Sequence, residues 1–267
     1  MCESKVKSVK YHNKDKKGVI IIMSTIVTAF VSGANTNRGL ETYMEHGKRL
    51  LEIEGVRKIV FIEEKIWSTY LQNIDFPMTT FRFIEKEALY TFKLSCPNFH
   101  LATDNPAKDT LEYMCIMAQK SEWIKEAIEM DETSAINVNY IWIDFGIYHI
   151  IKGGDTSFTE MIQKACNSVY KDRIRIAGGN TGITIDFYRI QWFFLGGIFG
   201  GPAHILIAFA DAMRQKVEEM VETTGHLCWE INLWISIYQE HPEWFDRYVA
   251  DHNASMIEMY YTDRKEK

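Results

Sequence analysis

The sequence predicts an α/β fold with a mixed, Rossmann-like central sheet flanked by helices, and three features carry that prediction. A β-branched apolar run ending at Phe30 is followed by a helical pattern and then by a second apolar run, Lys58 to Glu63. That order is a β-α-β opening. A later apolar run, Trp142-Ile143-Asp144, ends in an acid, and ligands of open α/β sheets bind just outside the carboxyl ends of strands. Two glycine pairs, Gly196-Gly197 and Gly200-Gly201, stand behind the aromatic Trp192-Phe193-Phe194. No side chain there would keep a ligand from the backbone.

The elements follow in order. Val19 to Phe30 reads as a buried first strand. Leu40, Tyr43, Met44, Gly47, Leu50 and Leu51 recur at helical spacing, and Thr80 to Ile84 is a third strand after Lys58 to Glu63. Asp109 to Met130 is helical, with a break expected near Ser121, and Ile136 to Asp144 is a strand. Arg173 to Ala177 and Ile183 to Phe194 supply further strands. Pro202 opens a helix to about Val221, with Leu206, Phe209, Met213, Val217 and Met220 on one face. Trp229 to Tyr238 is a short helix, and Trp244 to Asn253 leads into a polar tail. No internal repeat or Pro/Ser-rich linker divides the chain. Residues 18–267 are therefore expected to form one domain behind a basic, disordered tail at 1–17, which carries Lys5, Lys7, Lys10, Lys14, Lys16 and Lys17.

Composition excludes some functions. A net charge of −6 over 267 residues argues against a general nucleic-acid binder. Five widely spaced cysteines without a CxxC pair give neither a disulfide framework nor a zinc site, which places the chain in a reducing, cytoplasmic compartment. The apolar run from Gly18 to Val31 is too short, and too broken by Ser24, Thr25 and Thr28, for a transmembrane segment. Aromatics at 13% suit either a heavy core or a platform for sugars and bases.

Several residues are candidates for chemistry. Asp144, at a strand end, could hold a divalent cation that bridges a diphosphate, or it could cap the Asp-Phe-Gly turn that Gly146 completes. One carboxylate is a poor metal site, so His252 is its expected partner, with Mn²⁺ or Mg²⁺ between them. The Asp-Phe-Gly triplet also occurs in protein kinases, but their other motifs are missing. Glu230 lies between Trp229 and Ile231, where a buried carboxylate needs either a partner or a chemical role. It could take a proton, stabilise oxocarbenium-like charge, or close a salt bridge. Lys120 could offset the charge of a departing diphosphate. Gly196, Gly197, Gly200 and Gly201 could admit a sugar to the backbone, or could serve strand-to-helix packing. Trp192 and Trp229 could stack on sugar rings.

Two resemblances rest on these segments. From Ser24 to Tyr260 the chain resembles the HtrL/YibB family, described mainly in bacterial cell-surface polysaccharide contexts. The resemblance is carried in order by Thr25-Ile-Val-Thr-Ala-Phe30, Ile59-Val-Phe-Ile-Glu-Glu64, Gln119-Lys-Ser-Glu-Trp123, Ile141-Trp-Ile-Asp-Phe-Gly-Ile147, Gly196-Gly-Ile-Phe-Gly-Gly201, Trp229-Glu-Ile-Asn232 and Ala250-Asp-His-Asn253. It implies a glycosyltransferase of the GT-A fold. Separately, Phe193 to Gly201 and then Glu230 are similar to the acceptor half of the retaining blood-group A/B-type transferases, with Glu230 on their catalytic glutamate. Where those carry Asp-x-Asp, this chain has Asp144-Phe145-Gly146.

The resulting expectation is a GT-A-like glycosyltransferase that moves a sugar from a nucleotide sugar to a glycan acceptor hydroxyl. UDP is the nucleotide implied by the resemblance. Thr28, Ala29 and Phe30 would line the base and ribose, Asp144 and His252 with the metal would hold the diphosphate, and Lys120 would assist departure. The glycine pairs, Trp192 and Trp229 would frame sugar and acceptor, with Glu230 as the catalytic carboxylate and retention ahead of inversion. The rival readings are a non-catalytic sugar- or nucleotide-binding protein and a sugar-phosphate nucleotidyltransferase, which would need a basic glycine-rich loop after the first strand that Gly33-Ala34-Asn35-Thr36-Asn37-Arg38 only faintly resembles.

Overall fold

The computed structural model describes residues 24–33, 38–103, 105–131, 139–151, 156–179 and 182–262. The basic tail, the first residues of the expected opening strand (19–23) and residues 136–138 lie outside the described residues. Seven strands form one sheet in the order β3-β2-β1-β4-β6-β5-β7. They are β1 (Thr25–Phe30), β2 (Lys58–Ile62), β3 (Thr79–Phe83), β4 (Asn139–Ile143), β5 (Ile174–Gly178), β6 (Ile198–Pro202) and β7 (Phe245–Val249). β3, β2, β1 and β4 run parallel, β6 is antiparallel to both β4 and β5, and β5 and β7 are parallel. This is a mixed, Rossmann-like α/β sheet.

Alternate side chains along each central strand feed two different cores. Val27, Trp142, Ile176 and Phe199 face one, where Trp123 stacks on Trp142 with planes 5° apart. That core is closed by α3 (Leu111–Ala118), α4 (Lys120–Met130), α6 (Ala203–Thr224) and α7 (Glu230–Glu240). Ile26, Ile141, Ala177 and Ile198 face the other, under α5 (Thr156–Cys166) and α8 (Ser255–Thr262). A third, smaller cluster lies between α1 (Leu40–Leu51), α2 (Glu64–Tyr70) and β2. The sheet is thus the middle of three layers.

Most elements fall where the hydrophobic pattern predicts them. The helical break expected near Ser121 is at Gln119, between α3 and α4. The expected strand over Ile183–Phe194 does not form. Buried Asn232 supplies the partners a neighbouring strand would have offered: its Nδ2 donates to the carbonyls of Asp186 and Arg189, and its Oδ1 accepts from Gln191 N–H. The chain there is a side-chain-braced loop with Ile183 and Ile185 exposed. The expected polar tail instead forms α8, which buries Met256, Ile257 and Tyr260. Buried Arg175 of β5 anchors it, donating to the carbonyls of Met259 and Tyr260 and pairing with Asp246 of β7. Among the described residues no helix is long and apolar enough to cross a membrane.

Gly47 shows how the fold positions the site. It sits inside α1, where glycine costs about 1 kcal/mol relative to alanine. A Cβ there would lie 1.9 Å from the Phe145 ring, which packs against Phe30 at the carboxyl end of β1. We therefore expect Gly47→Ala to destabilise the protein by roughly 1–3 kcal/mol in urea unfolding, because overpacking outweighs the helix gain. A stabilised variant would show that Phe145 can move freely.

Candidate functional site

β1 and β4 are adjacent, yet the chain leaves β1 toward β2 on one side and returns to β4 on the other. That reversal opens a crevice at the carboxyl ends of the two strands, the position at which α/β sheets bind ligands. A cleft of about 330 Å³ lies there, within the roughly 300–1,000 Å³ of small-molecule sites. Its walls include Phe30, Tyr43, Tyr113, Trp142, Trp192 and Trp229, with a smaller set of polar groups among them.

Lys120, the first residue of α4, is buried at its floor. Its ammonium lies 3.0 Å from Glu230 Oε1 and 3.1 Å from Asp144 Oδ1, and it donates to the Gly196 carbonyl at 3.1 Å. Burial works against its charge, but the two carboxylates more than offset this and hold its pKa above the usual lysine value. Glu230 opens α7, where the helix dipole favours a negative charge. Its Oε2 is buried and has no hydrogen-bond partner among the described residues. The Asp144 carboxylate is part exposed and also accepts from Trp142 Nε1 at 2.7 Å, while its carbonyl closes a turn by accepting from Ile147 N–H. The Asp144 carboxylate thus belongs to the cleft cluster, and the turn is closed by the backbone carbonyl rather than by a side-chain cap.

The glycine pairs divide. Gly196 and Gly197 line the cleft, and a Cβ on Gly196 would come 2.7 Å from Glu230 Oε1. Bare backbone there lets Lys120 reach the Gly196 carbonyl. Gly200 and Gly201 sit inside β6, away from the cleft. A Cβ on Gly200 would meet the Tyr140 carbonyl and the Tyr260 hydroxyl at 2.6 Å, and one on Gly201 the Arg173 carbonyl at 2.6 Å. Their role is packing, which corrects the expectation that they frame a sugar. Ala29, Phe30 and Gly146 line the cleft as expected, but Thr28 is fully buried in β1 and does not. Trp192 lies at the edge, 44% exposed, and Trp229 is buried in the wall against Tyr113.

The expected Mn²⁺ or Mg²⁺ site is overturned. Among the described residues no three His, Cys, Asp or Glu side chains converge to hold a metal ion. Asp144 is already engaged by Lys120 and Trp142, and exposed His252 packs tilted against His149, with ring centres 5.1 Å apart. Arg38, Lys108, His149, Tyr43 and Tyr113 also line the cleft and were not singled out from the sequence. Tyr43 carried a signal as part of the α1 pattern, and Arg38 a faint one as the end of the Gly33–Arg38 stretch. His149 Nδ1 lies 2.6 Å from the Gly146 carbonyl, which can only accept, so the ring keeps its proton on Nδ1.

No protein-family model matches this chain, and no curated protein matches it in sequence. The four cysteines among the described residues, Cys96, Cys115, Cys166 and Cys228, are free thiols.

Two outcomes follow from the site's electrostatics. Lys120→Met leaves a carboxylate buried without its counterion and is expected to cost about 3–5 kcal/mol in urea unfolding. Adding Glu230→Gln should restore part of that loss, and a Lys120→Met cost below about 1 kcal/mol would contradict the buried network. Burial, only partly countered by the Gly146 carbonyl, pushes the His149 pKa from 6.5 down to about 4. The unfolded chain therefore takes up this proton first as the pH falls, so stability should decline between pH 6.5 and about 4. His149→Gln is expected to flatten part of that slope; an unchanged slope would place the titration elsewhere.

Proposed function

We propose that this chain is a glycosyltransferase of GT-A-like fold that transfers a sugar from a nucleotide sugar, UDP-linked, to an acceptor hydroxyl. The observation that carries the proposal is the Lys120–Glu230–Asp144 cluster beneath Gly196, at the sheet's switch point. Phosphate-leaving chemistry at an anomeric carbon needs negative charge near the developing oxocarbenium ion and positive charge near the leaving group. Glu230 and Lys120 place both signs together in an apolar wall, where solvent screens them little. The resemblance of the seven ordered segments to HtrL/YibB proteins, and of Phe193–Gly201 with Glu230 to the blood-group type, supports the same reading.

In this proposal the base lies against Phe30 and Ala29 at the end of β1. The sugar sits between Trp192 and the bare backbone of Gly196 and Gly197. The bond from the anomeric carbon to the diphosphate oxygen breaks, and its electron pair leaves with the nucleotide. The acceptor oxygen forms the new bond on the same face, and its proton passes to the departing phosphate oxygen. Glu230 stabilises the positive charge on the sugar, which favours retention. Lys120 keeps the carboxylate in place and offsets charge on the leaving group.

Incubation with a panel of UDP-sugars in the presence of chelator should release UDP from at least one donor. Glu230→Gln should reduce that release by roughly 100- to 1,000-fold while leaving UDP affinity unchanged. Product NMR should show the donor's anomeric configuration retained. Absence of turnover with every donor, or a loss of only a few-fold in Glu230→Gln, would sink the proposal.

A further inference from the structure

We infer that Arg38 and Lys108 form a metal-free phosphate clamp at the mouth of the cleft, shaped for the diphosphate group of its ligand. The inference rests on the nucleotide-sugar reading for the identity of that ligand, but the clamp itself rests on geometry. Both residues line the cleft, Arg38 from the connection after β1 and Lys108 from the segment before α3. The Arg38 guanidinium lies over the Tyr43 ring, 5.6 Å from its centre, and the Lys108 ammonium over Tyr113, at 5.8 Å. Those rings are cleft walls, so the cation–π contacts hold both charges at the cavity.

Neither cation is paired with a carboxylate among the described residues. Elsewhere Lys86, Lys125, Arg175, Arg214 and Lys216 each have one within 4.0 Å. Asp144 and Glu230 form their ion pairs with Lys120 and not with either cation, and the three cations that line the cleft, Arg38, Lys108 and Lys120, exceed these two carboxylates by one charge. The result is a local positive field in a chain of net charge −6. Burial and then the Arg38 charge depress the Lys108 pKa against the opposing pull of Asp144 and Glu230, and burial and then Lys108 depress that of His252 against Asp144. Such a field favours an anion. A diphosphate joined to a nucleoside and a sugar carries two negative charges, one for each cation, and the arginine fork matches a phosphate's oxygens. Placing the phosphates at the first βα connection also puts them next to Lys120 for departure.

The test is calorimetric titration of the full chain in chelator with inorganic pyrophosphate, UDP and uridine. Pyrophosphate and UDP should bind without a divalent ion and weaken with added salt. Arg38→Gln and Lys108→Gln should each weaken both by about ten- to a hundredfold and leave uridine unaffected. Arg38→Lys, which keeps the charge and loses the fork, should recover part of the affinity. Pyrophosphate binding that requires Mn²⁺, or that survives both substitutions unchanged, would overturn the clamp. Metal-free pyrophosphate binding that both substitutions weaken, with UDP binding no better than pyrophosphate, would uphold the clamp and remove the nucleotide-sugar reading.

Discussion

The Lys120 ammonium is the constraint on which the site depends. Two carboxylates from distant parts of the chain, Asp144 after β4 and Glu230 at the start of α7, approach one point because a buried cation sits between them. Glu230, buried in the apolar wall, could not be held there charged without it, while part-exposed Asp144 is drawn in by the same ammonium. The surrounding elements serve that geometry. The break at Gln119 starts α4 at Lys120, the Trp123–Trp142 stack roofs the ammonium from the core side, and glycine at 196 leaves the carbonyl within reach.

The same constraint decides what Asp144 can do. Its Oδ1 is shared by an ammonium and an indole N–H, so it anchors the cluster. Asn232, two residues after Glu230, extends the logic to the rim. By bonding Asp186, Arg189 and Gln191 it fixes the loop that presents Trp192 to the cleft. The Trp229-Glu230-Ile231-Asn232 segment thus carries the carboxylate and the brace of the platform above it.

Much of the sheet was legible because its strands are short apolar runs bounded by turns, and α6 because its buried face repeats at helical spacing. Asp144 and Glu230 were legible as acids in apolar company. The rest depends on contacts that local pattern does not encode. Lys120 reads as a surface lysine, and only its convergence with Glu230, 110 residues away, buries it. The alternation of Ile183, Ile185 and Phe187 mimics a strand, yet the segment's hydrogen bonds go to scattered partners, Asn232 of α7, His226 and Ala102 among them. Gly200 and Gly201 resemble Gly196 and Gly197 in sequence and differ only in what lies beside them. Lys108 carries no pattern and Arg38 only the faint one of the Gly33–Arg38 stretch, because what sets them apart is that neither is paired with a carboxylate among the described residues.

The most direct measurement is a crystal structure with a slowly turned-over UDP-sugar, grown in chelator. The expected complex has the base at Phe30, the diphosphate between Arg38 and Lys108, and the anomeric carbon within reach of Glu230, with Lys120 still bridging both carboxylates. A nucleotide bound away from the carboxyl ends of β1 and β4, or a Lys120 released from Glu230 and exposed to solvent, would contradict it.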